Sequence, residues 1–196
     1  MLEFVEIEHK FLVDASFDLD RFARCAKALK PDDEGQVDVR DSYYVINAMP
    51  GHVVRHRVDR EIQQLSVKSV APDNERRLEV NLELDQSGGD QQRAVEAFLA
   101  PMGILWRGTI EKKIHVFYFA DCEVVHYEAR AGGKSVACVE FEAKAKSGES
   151  AALEAIRRYE VAFGFADATR CRQSLFEIMF KDTMPAGVVR HLNAKE

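Results

Sequence analysis

The stretch VEIEHKFLV, residues 5–13, alternates charged and apolar side chains and suggests how the rest of the chain folds. Successive side chains of an extended strand point to opposite faces, so residues two apart share a face. Glu6, Glu8 and Lys10 therefore lie on one face of a predicted strand, and the apolar residues that begin with Ile7 lie on the other. The stretch predicts a strand with one charged face and one apolar face.

Similar alternation recurs along the chain, in segments rich in Val, Ile, Phe and Tyr. The predicted strands are residues 3–13, 39–47, 53–59, 63–70, 77–85, 109–119, 122–130 and 134–146. In several of them one face is dense in acids and in Arg or Lys. An open antiparallel sheet with one solvated face also explains alternation. However, a solvated face normally mixes its charges with Ser, Thr, Asn and Gln, and eight strands of similar length suit a closed barrel.

The predicted fold class is therefore α+β, an eight-stranded closed antiparallel β-barrel with helices packed outside and a charged interior. Predicted helices cover residues 17–29, 90–101, 149–163 and 170–180. Residues 1–180 form the predicted tunnel domain. Residues 181–196, which are polar and contain Pro185 and Gly187, are expected to be a loose tail or a short helix.

Composition limits the class of function. The chain has 196 residues and a formal net charge of −6, which argues against a nucleic-acid or anionic-membrane partner. Its four cysteines form no CxxC pair, and its first residues lack the apolar run of a signal peptide or membrane anchor. We expect a cytoplasmic protein with reduced cysteines.

The charges predicted to face inward fall into two chemical groups. Arginine and lysine suit phosphate oxygens, whereas carboxylate pairs two residues apart on a strand suit Mg²⁺ or Mn²⁺. The predicted cations are Lys10, Arg55, Arg57, Lys68, Arg77 and Lys113, and the predicted carboxylates are Glu6, Glu8, Glu79, Glu140 and Glu142. A small molecule bearing a triphosphate, bound together with divalent metal, satisfies both groups. His115 shares the parity of Lys113 and is expected beside the phosphate.

These motifs resemble those of the CYTH superfamily, the triphosphate tunnel metalloenzymes. Glu6-Ile7-Glu8-His9-Lys10 is similar to its Glu-x-Glu-x-Lys signature. Later elements follow in the same order: Asp41-Ser42-Tyr43-Tyr44, Arg55-His56-Arg57 for Arg-x-Arg, Ser66-Val67-Lys68 for Thr-x-Lys, Arg77-Leu78-Glu79 for Arg-x-Glu, Lys113 opening Lys-x-Arg, and Glu140-Phe141-Glu142 for a second Glu-x-Glu. The resemblance covers roughly residues 3–180.

The resemblance implies roles for these residues. Glu6, Glu8, Glu140 and Glu142 would hold two divalent metals, with Glu6, Glu8 and Lys10 essential for turnover. Lys10, Arg55, Arg57, Lys68, Arg77 and Lys113 would bind phosphates. Three positions depart from the family pattern: His115 replaces an arginine, Asn81 replaces an acid, and Glu128 stands for an aspartate of the seventh strand.

The implied activity is hydrolysis of inorganic triphosphate or a small organic triphosphate. Short motifs leave class IV adenylate cyclase and thiamine triphosphatase open, since each uses a triphosphate-holding site. A non-catalytic module that binds polyphosphate or nucleotide is a further alternative. The resemblance also implies a possible homodimer, for which the sequence offers no defined interface.

Overall fold

The structure, a computed structural model, describes residues 4–70, 74–144 and 148–194. The strands are β1 (Val5–Val13), β2 (Asp33–Ile46), β3 (His52–Val58), β4 (Gln63–Ser69), β5 (Arg76–Glu83), β6 (Ile104–Tyr118), β7 (Cys122–Ala131) and β8 (Lys134–Ala143). The helices are α1 (Leu19–Ala28), α2 (Gln92–Leu99), α3 (Glu149–Phe163), α4 (Leu175–Phe180) and α5 (Ala186–Leu192). Within these residues, none of the helices combines the length and the apolar character needed to cross a bilayer.

The eight strands form a closed antiparallel barrel in the order β1-β5-β4-β3-β2-β6-β7-β8. β1 closes the ring by pairing with two neighbours. Its first residues, from Val5 to Ile7, pair with β5, and the rest, from Glu8 to Val13, pair with β8. The predicted fold class is confirmed.

Two strands are longer than the sequence predicted. β2 begins at Asp33 and not at residue 39, and β6 begins at Ile104 and not at residue 109. The two strands pair with each other along nearly their whole length, from Asp33 opposite Tyr118 to Val45 opposite Trp106. The predicted start of the first strand at residue 3 and the predicted end of the eighth at residue 146 lie outside the described residues.

Helices α1 and α3 cover the outer face of one side of the barrel. Phe22 of α1 and Ile156 of α3 pack against the outward side chains Ile7, Phe117 and Phe141 in one buried cluster. α1 begins after Asp18, whose side chain accepts a hydrogen bond from the backbone amide of Arg21. A second outer cluster places α2 against β2 and β3, where Val95 and Leu99 contact Tyr44 and Val54. The apolar outer faces of these strands are thus buried under helices.

Helices α4 and α5 occupy one end of the barrel. α4 begins with a capping box, in which Ser174 and Glu177 each bind the other's backbone amide. Phe176 of α4 lies in the same cluster as the inward side chain of Tyr43. Of the two expectations for residues 181–196, a helix forms, and Val188 and Leu192 of α5 are buried in this cluster.

Gly108 of β6 permits a close approach at this end of the barrel. A Cβ atom at this position would collide with the ring of Trp106 and would lie 2.9 Å from the ring of Phe180. The side chains of Trp106 and Phe180 pack edge to face, with ring centroids 4.8 Å apart. Glycine at position 108 is therefore required for α4 to seat on the barrel.

Candidate functional site: a charged tunnel

The inward faces of the strands enclose a cavity of about 720 Å³. Of the residues predicted from the sequence, the following line it: Glu6, Glu8, Lys10, Arg55, Arg57, Lys68, Arg77, Glu79, Glu140 and Glu142. Ser174, Leu175 and Phe176 line the end occupied by α4. At the other end, where β6 turns into β7, the lining residue Lys144 is exposed and Glu123 is half-buried. We call this second end the mouth.

Three predicted positions face away from the cavity, so their expected placement is wrong. Lys113 is exposed on the outer face of β6, and Nε2 of His115 lies 2.8 Å from Oε1 of Glu34, also outside. Glu128 lies on the outer face of β7, 3.7 Å from Arg130. The prediction assumed that the polar face of every strand points inward. On β6 the polar face at Lys113 instead meets solvent.

Lys112 and Asp41 face the interior and were not among the predicted site residues. Asp41 is fully buried, and its carboxylate accepts two hydrogen bonds from Arg57, at 2.8 and 3.0 Å. Lys112 Nζ lies 2.5 Å from the same carboxylate. The apolar residues Ile110 and Ile114, which share the parity of Lys112, are the sequence signal that could have identified the inward face of β6.

The electrostatics of this group affect Lys112 most. Burial lowers the pKa of Lys112 to about 8, and the neighbouring guanidinium of Arg57 acts in the same direction, while Asp41 opposes them. The pKa of Asp41 is held well below its usual range by Arg57 and Lys112, which outweigh the effect of burial. Lys112 is therefore a cation that an added anion would stabilise.

Lys10 lies deepest in the tunnel, towards α4. Its ammonium group lies 3.0 Å from Glu8 and 3.1 Å from Glu140, and it donates a hydrogen bond of 3.3 Å to the carbonyl of Gln173. Burial opposes the charged form, but the two carboxylates raise the pKa of Lys10 above its ordinary value. The hydroxyl of Tyr127 donates to Glu140 at 2.7 Å. Lys10 is thus charged and held in place from three sides.

The wall formed by β1, β4 and β5 carries a chain of alternating charges. Arg77 contacts Glu6 through Nε and lies 3.2 Å from Glu8. Lys68 lies 2.6 Å from Glu79 and 3.5 Å from Glu6. Arg55 also reaches this chain, with a guanidinium nitrogen 3.1 Å from Glu79. Each of these cations thus contacts a carboxylate and also lines the cavity, where it could contact a bound anion.

Glu142 is the exception to this pairing. Within residues 4–70, 74–144 and 148–194 no lysine or arginine forms an ion pair with it, although Lys10 and Arg77 pair with neighbouring acids. Oxygen atoms of Glu142, Glu6 and Glu8 lie within 4.8 Å of one another. Burial and the negative charges of Glu6 and Glu8 raise the pKa of Glu142 well above its usual range. Three carboxylates thus converge, and among the described residues Glu142 is the one that forms no ion pair with a lysine or arginine.

This donor set fits a hard divalent cation. Mg²⁺ and Mn²⁺ prefer oxygen ligands, and Mg²⁺ is usually held by one or two carboxylates together with substrate phosphates and water. The three oxygens belong to β1 and β8, which pair directly through Glu8 and Glu142. The side chains are therefore held on adjacent strands of a closed barrel, where strand pairing limits their movement.

Comparison with known proteins bears on the fold. No protein-family model matches the sequence, and neither does any curated protein. A conserved hypothetical protein from Pyrococcus furiosus superposes with a TM-score of 0.68 at 21% identity, over 89% of this chain and 99% of that chain. A candidate adenylate cyclase from Bacillus halodurans gives 0.59 at 18% identity, over 92% and 100% of the two chains. This chain therefore shares its fold with these two proteins over most of the length of each.

A third similar structure is a candidate adenylyl cyclase from Hippeastrum, described as having a dominant triphosphatase activity. It superposes with a TM-score of 0.57 at 14% identity, over 93% of this chain and 98% of that chain. On β6 the inward residues in this part of the barrel are Lys112 and Ile114, not Lys113 and His115.

Proposed function

We propose that this protein hydrolyses inorganic triphosphate or a small organic triphosphate with the help of Mg²⁺ or Mn²⁺. The observation that carries the proposal is the cluster of Glu6, Glu8 and Glu142, in which Glu142 forms no ion pair with a described lysine or arginine, beside a wall of lysine and arginine side chains. A metal ion would supply the missing positive charge, and the cations beside it would bind the phosphate oxygens.

The charge balance of the tunnel supports a ligand that brings both signs. Below the mouth the cations are Lys10, Arg55, Arg57, Lys68, Arg77 and Lys112, and the carboxylates are Glu6, Glu8, Asp41, Glu79, Glu140 and Glu142. These two sets are equal in number, and the lining adds the half-buried carboxylates Asp59 and Glu123 and the exposed Lys144. A triphosphate that entered alone would add several uncompensated negative charges to a partly desolvated site, which is costly. A triphosphate that enters with divalent cations leaves the balance intact.

Metal and phosphate binding should therefore assist each other. Arg77 lies between Glu6 and Glu8, the same carboxylates that would hold the metal. If these carboxylates held a divalent cation, the guanidinium of Arg77 would be free to bind a phosphate oxygen. Lys68 contacts Glu6 and Glu79 and would be freed in the same way. The chain's own residues thus orient the phosphates and neutralise charge as it shifts between phosphate oxygens.

Bound divalent metal supplies Lewis-acid neutralisation of phosphate charge and lowers the pKa of water. The protein contributes positioning and preorganised electrostatics, which are the main protein contributions to phosphoryl transfer. Lys10 is already fixed by Glu8, Glu140 and Gln173, so it requires little rearrangement to contact a phosphate.

A cyclase is the second candidate function. The observation that favours it is the structural likeness to the candidate adenylate cyclase from Bacillus halodurans. In that reaction the ribose 3′-hydroxyl would take the place of water, with cyclic AMP and pyrophosphate as products. The likeness to the Hippeastrum protein, described as having a dominant triphosphatase activity, supports hydrolysis as the first candidate.

The decisive test is a product assay. Purified protein is incubated with inorganic triphosphate, ATP or thiamine triphosphate, each with Mg²⁺ and then with Mn²⁺. Orthophosphate supports hydrolysis, and cyclic AMP with pyrophosphate supports the cyclase instead. If no product forms but triphosphate raises the melting temperature, the protein is a binding module.

Matched variants connect the assay to the site. Glu8→Ala and Lys10→Ala should abolish turnover, whereas Glu128→Ala, which removes an acid from the outer face, should leave it unchanged. Full activity in both inward variants would refute the assignment. Circular dichroism of each variant shows whether the barrel remains folded.

A further inference from the structure

One wall of the tunnel is apolar, although the remainder is charged. Val37 and Val39 of β2, Ile114 and Val116 of β6, and Val125 of β7 all line the cavity. These side chains form one continuous patch, because Val37 is paired with Ile114 and Val116 is paired with Val125. We call these five residues the apolar wall. The apolar wall is formed by three adjacent strands and therefore lies on one side of the barrel.

The apolar wall faces the charged residues across the tunnel. In the ring of eight strands, β6 lies opposite β5, with β2 opposite β1 and β7 opposite β4. The opposing strands carry Glu6, Lys68 and Arg77, which hold the candidate metal and phosphate positions. Most of the candidate phosphate and metal contacts lie on that side, with Glu142 of β8 and Lys112 of β6 at its edges. Apolar surface that faces a water-filled cavity is stabilised when an apolar group covers it.

The wall leaves space towards the mouth. Gly35 of β2 is paired with Val116, and a Cβ atom at Gly35 would lie 3.3 Å from Cγ1 of Val116 and 3.7 Å from Cε2 of Tyr118. Without that atom, the wall is recessed between these two side chains. Tyr118, which also lines the cavity, adds an aromatic ring at this point. A ligand group that is flat and apolar fits a recess of this composition.

The cavity is also the size of an organic ligand site. Its volume of about 720 Å³ lies within the range of about 300–1,000 Å³ that is typical of pockets for drug-sized molecules. Along β6 the inward residues run from Lys112, through Ile114 and Val116, to Tyr118 at the mouth. The charged anchor thus lies deep, and the apolar surface lies between it and solvent.

We propose that the substrate is a triphosphate monoester whose organic group is aromatic or aliphatic, and that this group lies on the apolar wall while the triphosphate lies deeper, between Lys112 and the charged residues of β1, β4 and β5. The inference rests on the proposed function of the same site and narrows its substrate class. Ile114 places an apolar side chain two residues from Lys112 on the inward face of β6. Inorganic triphosphate, which has no organic group, would leave the wall uncovered.

A substrate series tests the proposal. Inorganic triphosphate, methyl triphosphate and benzyl triphosphate are compared at saturating Mg²⁺, by kcat/KM and by the ligand-induced shift in melting temperature. Methyl triphosphate controls for the change from free acid to ester, since it has the ester linkage but almost no apolar surface. We expect kcat/KM to rise at least tenfold from methyl to benzyl triphosphate, since one or two apolar groups in a pocket give discrimination of that order.

Variants of the wall provide the matched comparison. Val37→Thr and Val125→Thr each exchange a methyl group for a hydroxyl with little change in shape. Combined, they should lower the benzyl-to-methyl ratio of kcat/KM about tenfold. Val80→Thr makes the same exchange on the outer face of β5 and should leave the ratio unchanged. The ratio cancels effects on the triphosphate contacts that the two esters share.

The outcomes separate this inference from the proposed function. Equal kcat/KM and equal melting shifts for the two esters would overturn the apolar-group proposal while hydrolysis still stands. Preferential binding of benzyl triphosphate without turnover would refute the hydrolase and retain the ligand class. A preference that persists in the double variant would show that the wall is not its cause, which also overturns the proposal.

Discussion

Adjacent lysines on β6 allow the tunnel to be tested by a single pair of substitutions. Lys112 is 7% exposed and contacts Asp41, whereas Lys113 is exposed on the outer face of the same strand. The two residues share charge, size and strand, so Lys112→Met and Lys113→Met differ only in the face they alter. We expect the first to impair the enzyme and the second to have no effect on it.

The magnitude follows from the contacts of Lys112. A hydrogen bond between ionised groups contributes about 1.5–3 kcal/mol, and about 1.4 kcal/mol corresponds to a factor of ten. Lys112→Met should therefore lower kcat/KM for triphosphate by about 10- to 100-fold. Asp41 keeps its two hydrogen bonds from Arg57, and the repulsion between Arg57 and Lys112 is removed. The free energy of unfolding should thus fall by less than the 3–5 kcal/mol typical of an unpaired buried charge.

Protonation gives an independent measurement on the same pair. Because the pKa of Lys112 is lowered to about 8, part of its population is neutral at pH 8–9 in the free protein. A bound phosphate favours the protonated form, so binding in this range should take up a proton, and affinity should fall as the pH rises further. Titration calorimetry in buffers of different ionisation enthalpy measures this uptake. Lys112→Met should abolish it, and Lys113→Met should retain it.

Two results would refute this reasoning. Equal loss of activity in both variants would mean that general surface charge, not the tunnel, controls catalysis. Loss in Lys113→Met alone would mean that β6 presents its other face to the substrate, which would contradict the register of β2 with β6. Thermal denaturation of both variants separates these results from a loss of folded protein.

Three further expectations concern metal binding and the helical end of the barrel. Glu142→Gln should raise the melting temperature of the metal-free protein at neutral pH and remove the additional stabilisation by Mg²⁺. The sign follows from the raised pKa of Glu142 in the folded protein. The stability that this group contributes is present below its pKa in the unfolded chain and is lost as the pH rises through its pKa in the folded protein. An unchanged Mg²⁺ effect would exclude Glu142 as a ligand. Leu192→Ala should lower the free energy of unfolding by about 2–4 kcal/mol, measured by urea denaturation, since this side chain is 5% exposed; a change below about 0.5 kcal/mol would show that α5 is dispensable. Gly108→Ala should destabilise more than its single methyl group suggests, because Trp106 and Phe180 must move, and near-ultraviolet circular dichroism should report the change at the tryptophan; an unaltered spectrum and melting temperature would contradict the packing described.

The strands whose inward faces were predicted correctly have a clear chemical signature. In β1 the charges at Glu6, Glu8 and Lys10 alternate with apolar residues that α1 and α3 cover from outside. Period-two alternation then defines both faces at once. The order of the charged motifs along the chain supplied the resemblance to a known family. That resemblance in turn implied a closed barrel.

The same rule was wrong for β6 because both faces of that strand deviate from it. Its inner face carries Ile114 and Val116, and its outer face carries Lys113 and other polar residues exposed to solvent. Alternation alone cannot distinguish a polar face that lines a cavity from one that meets water. The early part of β2 was missed for a related reason: residues 33–38 are mostly polar, and the strand forms because β6 supplies a full set of backbone partners.

The helix that occupies one end of the barrel has a consequence for how a phosphate chain is handled. Phe176 and Leu175 of α4 line the cavity beyond Lys10, so the tube is blind on that side. A polyphosphate strand could not pass through it and would be admitted only by a free terminus, to a depth set by the distance from the mouth to α4. The depth of the barrel would then limit how many phosphate units can enter. Cleavage would proceed from an end of the polymer and never from its middle. Reactant and product would share a single entrance, which makes departure of the product a candidate for the slowest event in each cycle.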